Sequence, residues 1–278
     1  VTDPGWRPKL VVLDLDGTVV PYAEELVVPS PRVRAAVGRV LGAGIPVSIA
    51  TGRAVWGALP TAADLGLDGI RLVCSNGALV YDAGAGEVLH SVVMDPGPAA
   101  GALAAVAPDA AFAIEHDQAG FLVTEGFGLD GLGLVAGIAG LAELTAHPTT
   151  RLVCRLPALR GAASWRAYDG ASARAAAVAS EALDPAAYGW HIGFSAWIDV
   201  NAVGVSKATG AAMVAADHEV DPEDVLAVGD GTNDLELFDW AGYSVAMGQS
   251  PAVVQAAADE VTAPVEADGV ALVLERWF

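Results

Sequence analysis

The sequence predicts an α/β protein: a parallel sheet core with helices on both faces, plus a second α/β unit inserted into it. Three observations carry this reading. Short apolar runs alternate with helix-period segments in the first third of the chain. The last third repeats that grammar. Between them lies a stretch of different texture, with Gly- and Pro-containing breaks and a mixture of strand and helix candidates. Strands that alternate with helices pair in parallel and are covered on both sides.

In order, Lys9 to Leu13 is a short apolar run ending at Asp14. Pro31 to Leu41 has helical spacing of Val33, Val37, Val40 and Leu41. Pro46 to Ala50 is a second run, ending at Thr51, and Ala54 to Leu65 again reads as a helix. Arg71 to Cys74 is a third run, ending at Ser75. Within the middle stretch, Ala111 to Glu115, Phe121 to Thr124, Arg151 to Leu156 and His191 to Ile198 read as strands; Ala99 to Val106 and Ala171 to Leu183 read as helices. Ser206 to Asp217 looks helical, and Asp224 to Val228 is an apolar run ending in Gly229 and Asp230. Leu235 to Trp240, Tyr243 to Ala246 and Pro251 to Ala257 continue the alternation, and Asp268 to Trp277 reads as a closing helix. The expected division is a core over residues 1–82 and 199–278 with an inserted unit over 83–198.

Bulk properties narrow the function. The longest apolar stretches, such as Leu132 to Leu144, are broken by glycine and fall short of the roughly 18 to 20 apolar residues a membrane helix needs. The first residues lack the apolar core of a signal peptide, so a cytoplasmic protein is expected. Net charge is −20, and such a surface repels nucleic acid and anionic membranes, so neither is an expected partner. It also suits high salt. An anionic substrate would need local positive charge, and the chain has only two lysines, Lys9 and Lys207. The cysteines, Cys74 and Cys154, sit in apolar runs and read as buried free thiols rather than a disulfide framework or a zinc site.

Four segments stand out: Asp14-Leu15-Asp16-Gly17-Thr18, Thr51-Gly52-Arg53, Ser206-Lys207, and Gly229-Asp230-Gly231-Thr232-Asn233-Asp234. Open parallel sheets bind ligands beyond the carboxyl ends of their strands, where three of these segments fall. Convergence would place Asp14, Asp16, Asp230 and Asp234 in one crevice. Four carboxylates so close raise one another's pKa unless a hard cation resolves the conflict. Magnesium suits this best, because it binds through carboxylates, waters and phosphate oxygens. A carboxylate is an established nucleophile toward phosphorus. Lys207 would supply fixed positive charge, and Thr51, Gly52 and Asn233 would donate hydrogen bonds to phosphate oxygens. Each member has an ordinary explanation alone: an aspartate after a strand caps a helix or turns the chain, Thr-Gly makes a loop, and a lysine sits in water. The conjunction carries the argument.

In order and content these segments resemble the four motifs of the haloacid dehalogenase-like phosphatase superfamily, over the first 80 or so residues and the last 75. The insertion resembles the large α/β cap of its Cof-type branch, as do Ser75-Asn76-Gly77-Ala78 and Gly204-Val205-Ser206-Lys207. The resemblance implies a Rossmann-like core and a magnesium-dependent phosphatase acting on a small phosphorylated metabolite, a sugar phosphate or phosphate-bearing cofactor, through an aspartyl-phosphate. It implies Asp14 as nucleophile and metal ligand. Asp16 would be the general acid/base, with its backbone carbonyl also on the metal. Thr51 and Lys207 would bind the phosphoryl group, with Gly52 and Asn233 beside it. Asp230 would be a direct metal ligand, and Asp234 a direct or water-mediated one. Arg53 and Asn76 are candidate substrate contacts. Val19 to Val28 resembles the flap hairpin over the site, and the cap would select the substrate. In the insertion, Glu115, His116, Arg155, Trp190 and His191 offer polar or aromatic groups, none assigned a role. A phosphomutase on the same core, a non-catalytic phosphate-ligand sensor and an acidic interaction protein are the alternatives. Oligomeric state is not legible.

Overall fold

The structure, a computed structural model, describes residues 5–22, 28–116, 119–129, 132–156, 165–193 and 196–278, without the side chains of 165–169. The chain divides into two compact units, Val1–His90 with Ser206–Phe278, and Ser91–Val205.

The first unit carries strands β1 (Leu10–Leu13), β2 (Val47–Ala50), β3 (Arg71–Cys74), β4 (Leu79–Asp82) and β5 (Glu87–Ser91), with helices α1 (Pro31–Gly42) and α2 (Val55–Asp64). The second unit carries α3 (Gly97–Val106), β6 (Ala111–Glu115), β7 (Phe121–Val123), β8 (Val135–Ile138), α4 (Leu141–Leu144), β9 (Leu152–Arg155), α5 (Trp165–Ala182), β10 (Tyr188–Ile192) and β11 (Ile198–Ala202). The chain then returns to the first unit through α6 (Lys207–Asp217), β12 (Val225–Gly229), α7 (Leu235–Trp240), β13 (Tyr243–Ala246), α8 (Ala252–Ala257), β14 (Glu260–Val261) and α9 (Gly269–Leu274).

The core sheet runs β14-β13-β12-β1-β2-β3-β4-β5. It is parallel from β14 to β3; β4 then returns antiparallel to β3. Its strands from β13 to β3 are buried on both faces, so they read as continuous apolar runs rather than alternating ones. Side-chain direction still alternates. Val11 and Leu13 of β1 and Leu226 and Val228 of β12 pack with α1, α2 and α9, whereas Leu10, Val12, Val225 and Ala227 pack with α6, α7 and α8. Helices therefore lie on both faces, as expected.

The second unit's sheet runs β10-β11-β9-β6-β7-β8 and is antiparallel except for the β7–β8 pair. One face, including Phe112, Ile114, Leu152, Cys154, Ile198 and Val200, packs on α3, α4 and α5. Alternation sends Glu115 and Asp199 to the other face, where Arg151 joins them, all buried. Arg151 Nε lies 2.8 Å from Glu115 Oε1, and its Nη1 lies 3.6 Å from Asp199 Oδ2.

One expectation needs correction. His191 to Ile198 is not one strand: β10 and β11 form a hairpin whose ends close through Gly193 N–H donating to the Trp197 carbonyl at 2.9 Å, near Ala196 at φ 53°. The chain passes between the two compact units at His90/Ser91 and at Val205/Ser206. The β4–β5 hairpin extends the core sheet before the chain leaves it, and β11 lies inside the second sheet. The core sheet is mixed at this edge, because the tight turn after β3 forces β4 antiparallel. Cys74 and Cys154 are buried free thiols.

Candidate active site

β1 ends by continuing its ladder to Asp14, whose N–H donates to the Val228 carbonyl at 2.9 Å. The chain then turns sharply. The N–H groups of Thr18, Val19 and Val20 all point at the Leu15 carbonyl, and Gly17 takes φ +81°. Only glycine fits there, since a Cβ would overlap the Asp230 carboxylate. Thr51 follows β2, and its N–H donates to the Val73 carbonyl at 2.8 Å. Ser206 caps α6 reciprocally with Thr209, which sets Lys207 at the first helical position. Asp230 follows β12 directly, and the short turn Thr232–Asp234 leads into α7.

These elements bring together residues more than 200 positions apart. Carboxylate oxygens of Asp14, Asp230 and Asp234 lie within 4.8 Å of one another, all buried. The Lys207 ammonium, fully buried, donates to Asp14 Oδ1 and to Asp234 Oδ1, each at 2.7 Å. Asp234 is the hub: its Oδ2 accepts the N–H groups of Asp230 and Gly231 at 3.0 and 2.9 Å. Both of its oxygens are thus engaged. Asp230 Oδ2 accepts from Tyr22 Oη at 2.8 Å, whereas Asp230 Oδ1 is buried without a hydrogen-bond partner.

Three carboxylates against one ammonium leave negative charge in excess. Burial, opposed by Lys207 and reinforced by Asp234 and Asp230, pushes the Asp14 carboxyl well above the ordinary range. Burial, then Asp234, pushes Asp230 up to about 7, against hydrogen bonds that favour its charged form. Burial alone would weaken the Lys207 ammonium, but Asp14 and Asp234 outweigh it and hold its pKa above the ordinary lysine value. The cluster fits a hard divalent cation. Its donors are all oxygens, and the orphaned Asp230 Oδ1 is a buried acceptor of the kind a cation satisfies.

Asp16 departs from the expected four-carboxylate crevice. Its carboxylate faces Arg53, which forks onto it through Nε (2.7 Å) and Nη2 (2.5 Å). A guanidinium matches a carboxylate in this bidentate way, and the pair lies apart from the three-carboxylate group. Arg53, expected as a substrate contact, also donates to the Gly57 carbonyl at 3.0 Å. Asn233 Nδ2 donates to Asn76 Oδ1 at 2.9 Å beside Gly52, so those three residues meet as one group. Of the flap expected over Val19 to Val28, residues 23–27 lie outside the described residues.

A sequence model of haloacid dehalogenase-like hydrolases matches residues 11–121 and 187–274. The chain belongs to this family. The hydrolase is 37% identical over 89 residues to 5-amino-6-(5-phospho-D-ribitylamino)uracil phosphatase YitU of Bacillus subtilis, covering 32% of this chain and 31% of that one. It is 40% identical over 65 residues to phosphoglycolate phosphatase of Haloarcula marismortui, covering 23% of this chain and 29% of the relative. Each match thus spans less than a third of the curated relative's own length. Among solved structures, a phosphatase of the haloalkanoate (HAD) superfamily from Bacteroides thetaiotaomicron superposes with TM-score 0.73 at 25% identity, over 100% of this chain and 97% of that one. A HAD subclass IIB sugar phosphatase superposes with TM-score 0.76 at 21% identity, over 96% and 98%.

Sequence reasoning missed two residues of the hydrolase's site. Tyr22 holds Asp230 from the chain after β1. Gln249 Nε2 donates to the Gly17 carbonyl at 2.5 Å and to Asp230 Oδ2 at 3.2 Å, while its Oε1 accepts the Val265 N–H. Gln249 sits just past the carboxyl end of β13, so the rule that located Asp14 and Asp230 would have found it. The polar groups expected in the insertion are engaged within that unit. Glu115 pairs with Arg151, Arg155 donates to the Phe127 carbonyl at 2.7 Å, His116 rests against His147 at 4.7 Å, and Trp190 packs on the apolar core. His191 is half-buried. Among the described residues no helix is long and apolar enough to cross a membrane.

Proposed function

We propose that this hydrolase is a phosphatase that cleaves a small phosphorylated metabolite through an aspartyl-phosphate on Asp14. The observation that carries the reading is the buried group of Asp14, Asp230 and Asp234 bound to the ammonium of Lys207. Burying three carboxylates together is costly for folding alone and useful only if positive charge and phosphate meet there. Asp14 and Asp230 would hold Mg2+, because Lys207 and backbone N–H groups already occupy both oxygens of Asp234. When bound, the cation would supply screening of phosphate charge.

The chain's own groups supply the rest. An Asp14 oxygen attacks phosphorus as the bond to the leaving oxygen breaks, and Asp16 gives that oxygen its proton. Asp16 then takes a proton from water, the water oxygen attacks phosphorus, and the Asp14 carboxylate is regenerated with release of phosphate. To reach the leaving oxygen, the Asp16 side chain must swing off Arg53. Lys207 neutralises phosphoryl charge and Thr51 donates to it. The relatives named above include phosphatases of a ribitylamino-uracil phosphate, phosphoglycolate and sugars, which supports a screen of sugar phosphates and phosphate-bearing cofactors.

The test is a screen of phosphorylated metabolites for phosphate release with magnesium, with Asp14→Asn as the blank. Release from at least one class by the wild type alone is expected; a phosphoryl-shifted isomer without phosphate would indicate a mutase instead. Asp16→Asn should abolish turnover while leaving magnesium affinity nearly intact. Equal losses in both would remove Asp16 from the acid/base role.

A further inference from the structure

The turn after β3 is the most strained segment among the described residues. Ser75, Asn76 and Gly77 follow one another at φ 52°, 57° and 101°. Left-handed backbone is costly for residues with a Cβ, and it persists where the surroundings over-determine it, most often at functional sites. Here the surroundings can be named. The Ser75 N–H donates to the Arg53 carbonyl at 2.9 Å, and the Asn76 N–H donates to the Thr51 carbonyl at 3.0 Å. Gly77 packs so closely on Ser206 that a Cβ would overlap the Ser206 carbonyl. The turn is therefore fastened to the loop that bears Thr51 and to the start of the helix that bears Lys207.

The side chain at its apex is Asn76, 1% exposed. Its Oδ1 accepts from Asn233 Nδ2 at 2.9 Å, which joins it to the fourth segment as well. That bond fixes the orientation of the amide and leaves Asn76 Nδ2 as the free end. Nδ2 is buried and has no hydrogen-bond partner. A buried amide donor without a partner costs folding energy and calls for an explanation. Gly52 adds another observation: a Cβ there would stand 3.0 Å from Asn76 Oδ1. The Thr51–Arg53 loop thus passes tightly beside this amide with no side chain between them.

We propose that Asn76 is a further phosphoryl-binding residue, whose Nδ2 donates a hydrogen bond to an oxygen of the substrate's phosphate group. The assignment rests on the phosphatase reading above and deepens it. An uncharged donor held rigidly from behind suits an oxygen whose charge grows during transfer, since it adds no entropic cost when the reaction occurs. The turn's strain is then the means by which the donor is held in place. Asn76 joins residues from four separated segments into one oxygen-binding wall with Thr51, Lys207 and Asn233.

Two variants test this. Asn76→Asp keeps an acceptor for Asn233 and tolerates left-handed backbone, but replaces the donor with an acceptor. Asn76→Gly removes the side chain and relieves the strain. For each, Tm, kcat and KM on a hydrolysed ester, and affinity for orthovanadate and inorganic phosphate by calorimetry, are measured with magnesium present. Asn76→Gly should keep or exceed the wild-type Tm, whereas Asn76→Asp buries a carboxylate and should lower it. Both should lose on the order of 10²-fold in kcat, with a parallel weakening of orthovanadate binding. Wild-type kcat and orthovanadate affinity in either variant would overturn the proposal. So would an activity loss that appears only together with a fall in Tm, which would make the turn scaffold alone. If the wild type releases phosphate from no ester, the phosphatase reading fails separately, and the anion affinities of the three proteins still decide the role of Asn76.

Discussion

Each unit of this hydrolase buries a cluster of charged side chains, and the two clusters are built on opposite principles. In the inserted unit, Arg151 stands between Glu115 and Asp199 on one face of one sheet, and Thr150 Oγ1 donates to Glu115 Oε2 at 2.7 Å. The participants come from neighbouring strands, so the guanidinium lies between both carboxylates within one sheet. In the core, Asp14 comes from the loop after β1, and Asp230 and Asp234 from the loop after β12; Asp14 and Asp234 share a single ammonium, with Asp230 Oδ1 left over. The first arrangement sets one guanidinium between two carboxylates of a single sheet. The second keeps negative charge in excess, which is a poor way to stabilise a protein and a good way to hold a cation beside a phosphate.

The largest effect that would break this contrast is on turnover. Asp14→Asn should lower phosphate release by more than about 10⁴-fold, as expected when a nucleophile is removed, while the protein stays folded by circular dichroism. Substitution at Arg151 should leave per-molecule turnover of the folded fraction near wild type, because its described ion pairs lie within its own unit. A comparable loss at Arg151 would erase the distinction.

Stability should separate the clusters next. Arg151→Met and Lys207→Met each strand buried carboxylates and should each cost about 3–5 kcal/mol in chemical denaturation. The losses should part when magnesium is added. A cation can replace the missing ammonium beside Asp14, so Lys207→Met should recover part of its loss, and Arg151→Met none. Equal behaviour with magnesium would mean that no cation takes the place of the ammonium beside Asp14.

Arg53 sharpens the picture within the core. Its fork onto Asp16 gives that residue a fixed resting orientation. Arg53→Lys keeps the charge but cannot form the fork, so kcat should fall by roughly 10-fold with Lys as with Ala. Full rescue by lysine would show that charge alone matters there.

The core was legible because its chemistry lies in short segments at strand ends. Asp14, Thr51 and Asp230 each follow an apolar run, and parallel-sheet topology sends all three to one edge. Lys207 was legible because lysine is so scarce here. The pairing of Asp16 with Arg53 was not, since a side-chain rotamer decides it. Tyr22 carries no pattern as a lone tyrosine, whereas Gln249 follows the carboxyl end of β13 and falls under the same strand-end rule as Asp14 and Asp230. The inserted unit resisted for a different reason. The face to which a given polar residue points follows from register, and the β10–β11 hairpin resets that register inside a run that reads from sequence as one strand.

The smallest expected effect, a shift in Tm with pH, tests the core cluster most directly. Asp230 is pushed up to about 7 in the folded protein, against an ordinary value of 3.8, and Asp14 moves in the same direction. Between these values the folded state keeps a proton that the unfolded chain has released. Folding is then linked to proton uptake, so the stability that this proton provides is present at the acid end of the window and is lost as pH rises toward 7. Magnesium competes with that proton for the same oxygens. It should therefore raise Tm by several degrees at about pH 8 and by much less at about pH 5. In Asp230→Asn both the pH dependence across this window and the response to magnesium should flatten, which isolates the site from the many other titrating groups. An identical magnesium shift at both pH values, or one that survives in Asp230→Asn, would mean that the cation binds somewhere other than beside Asp230.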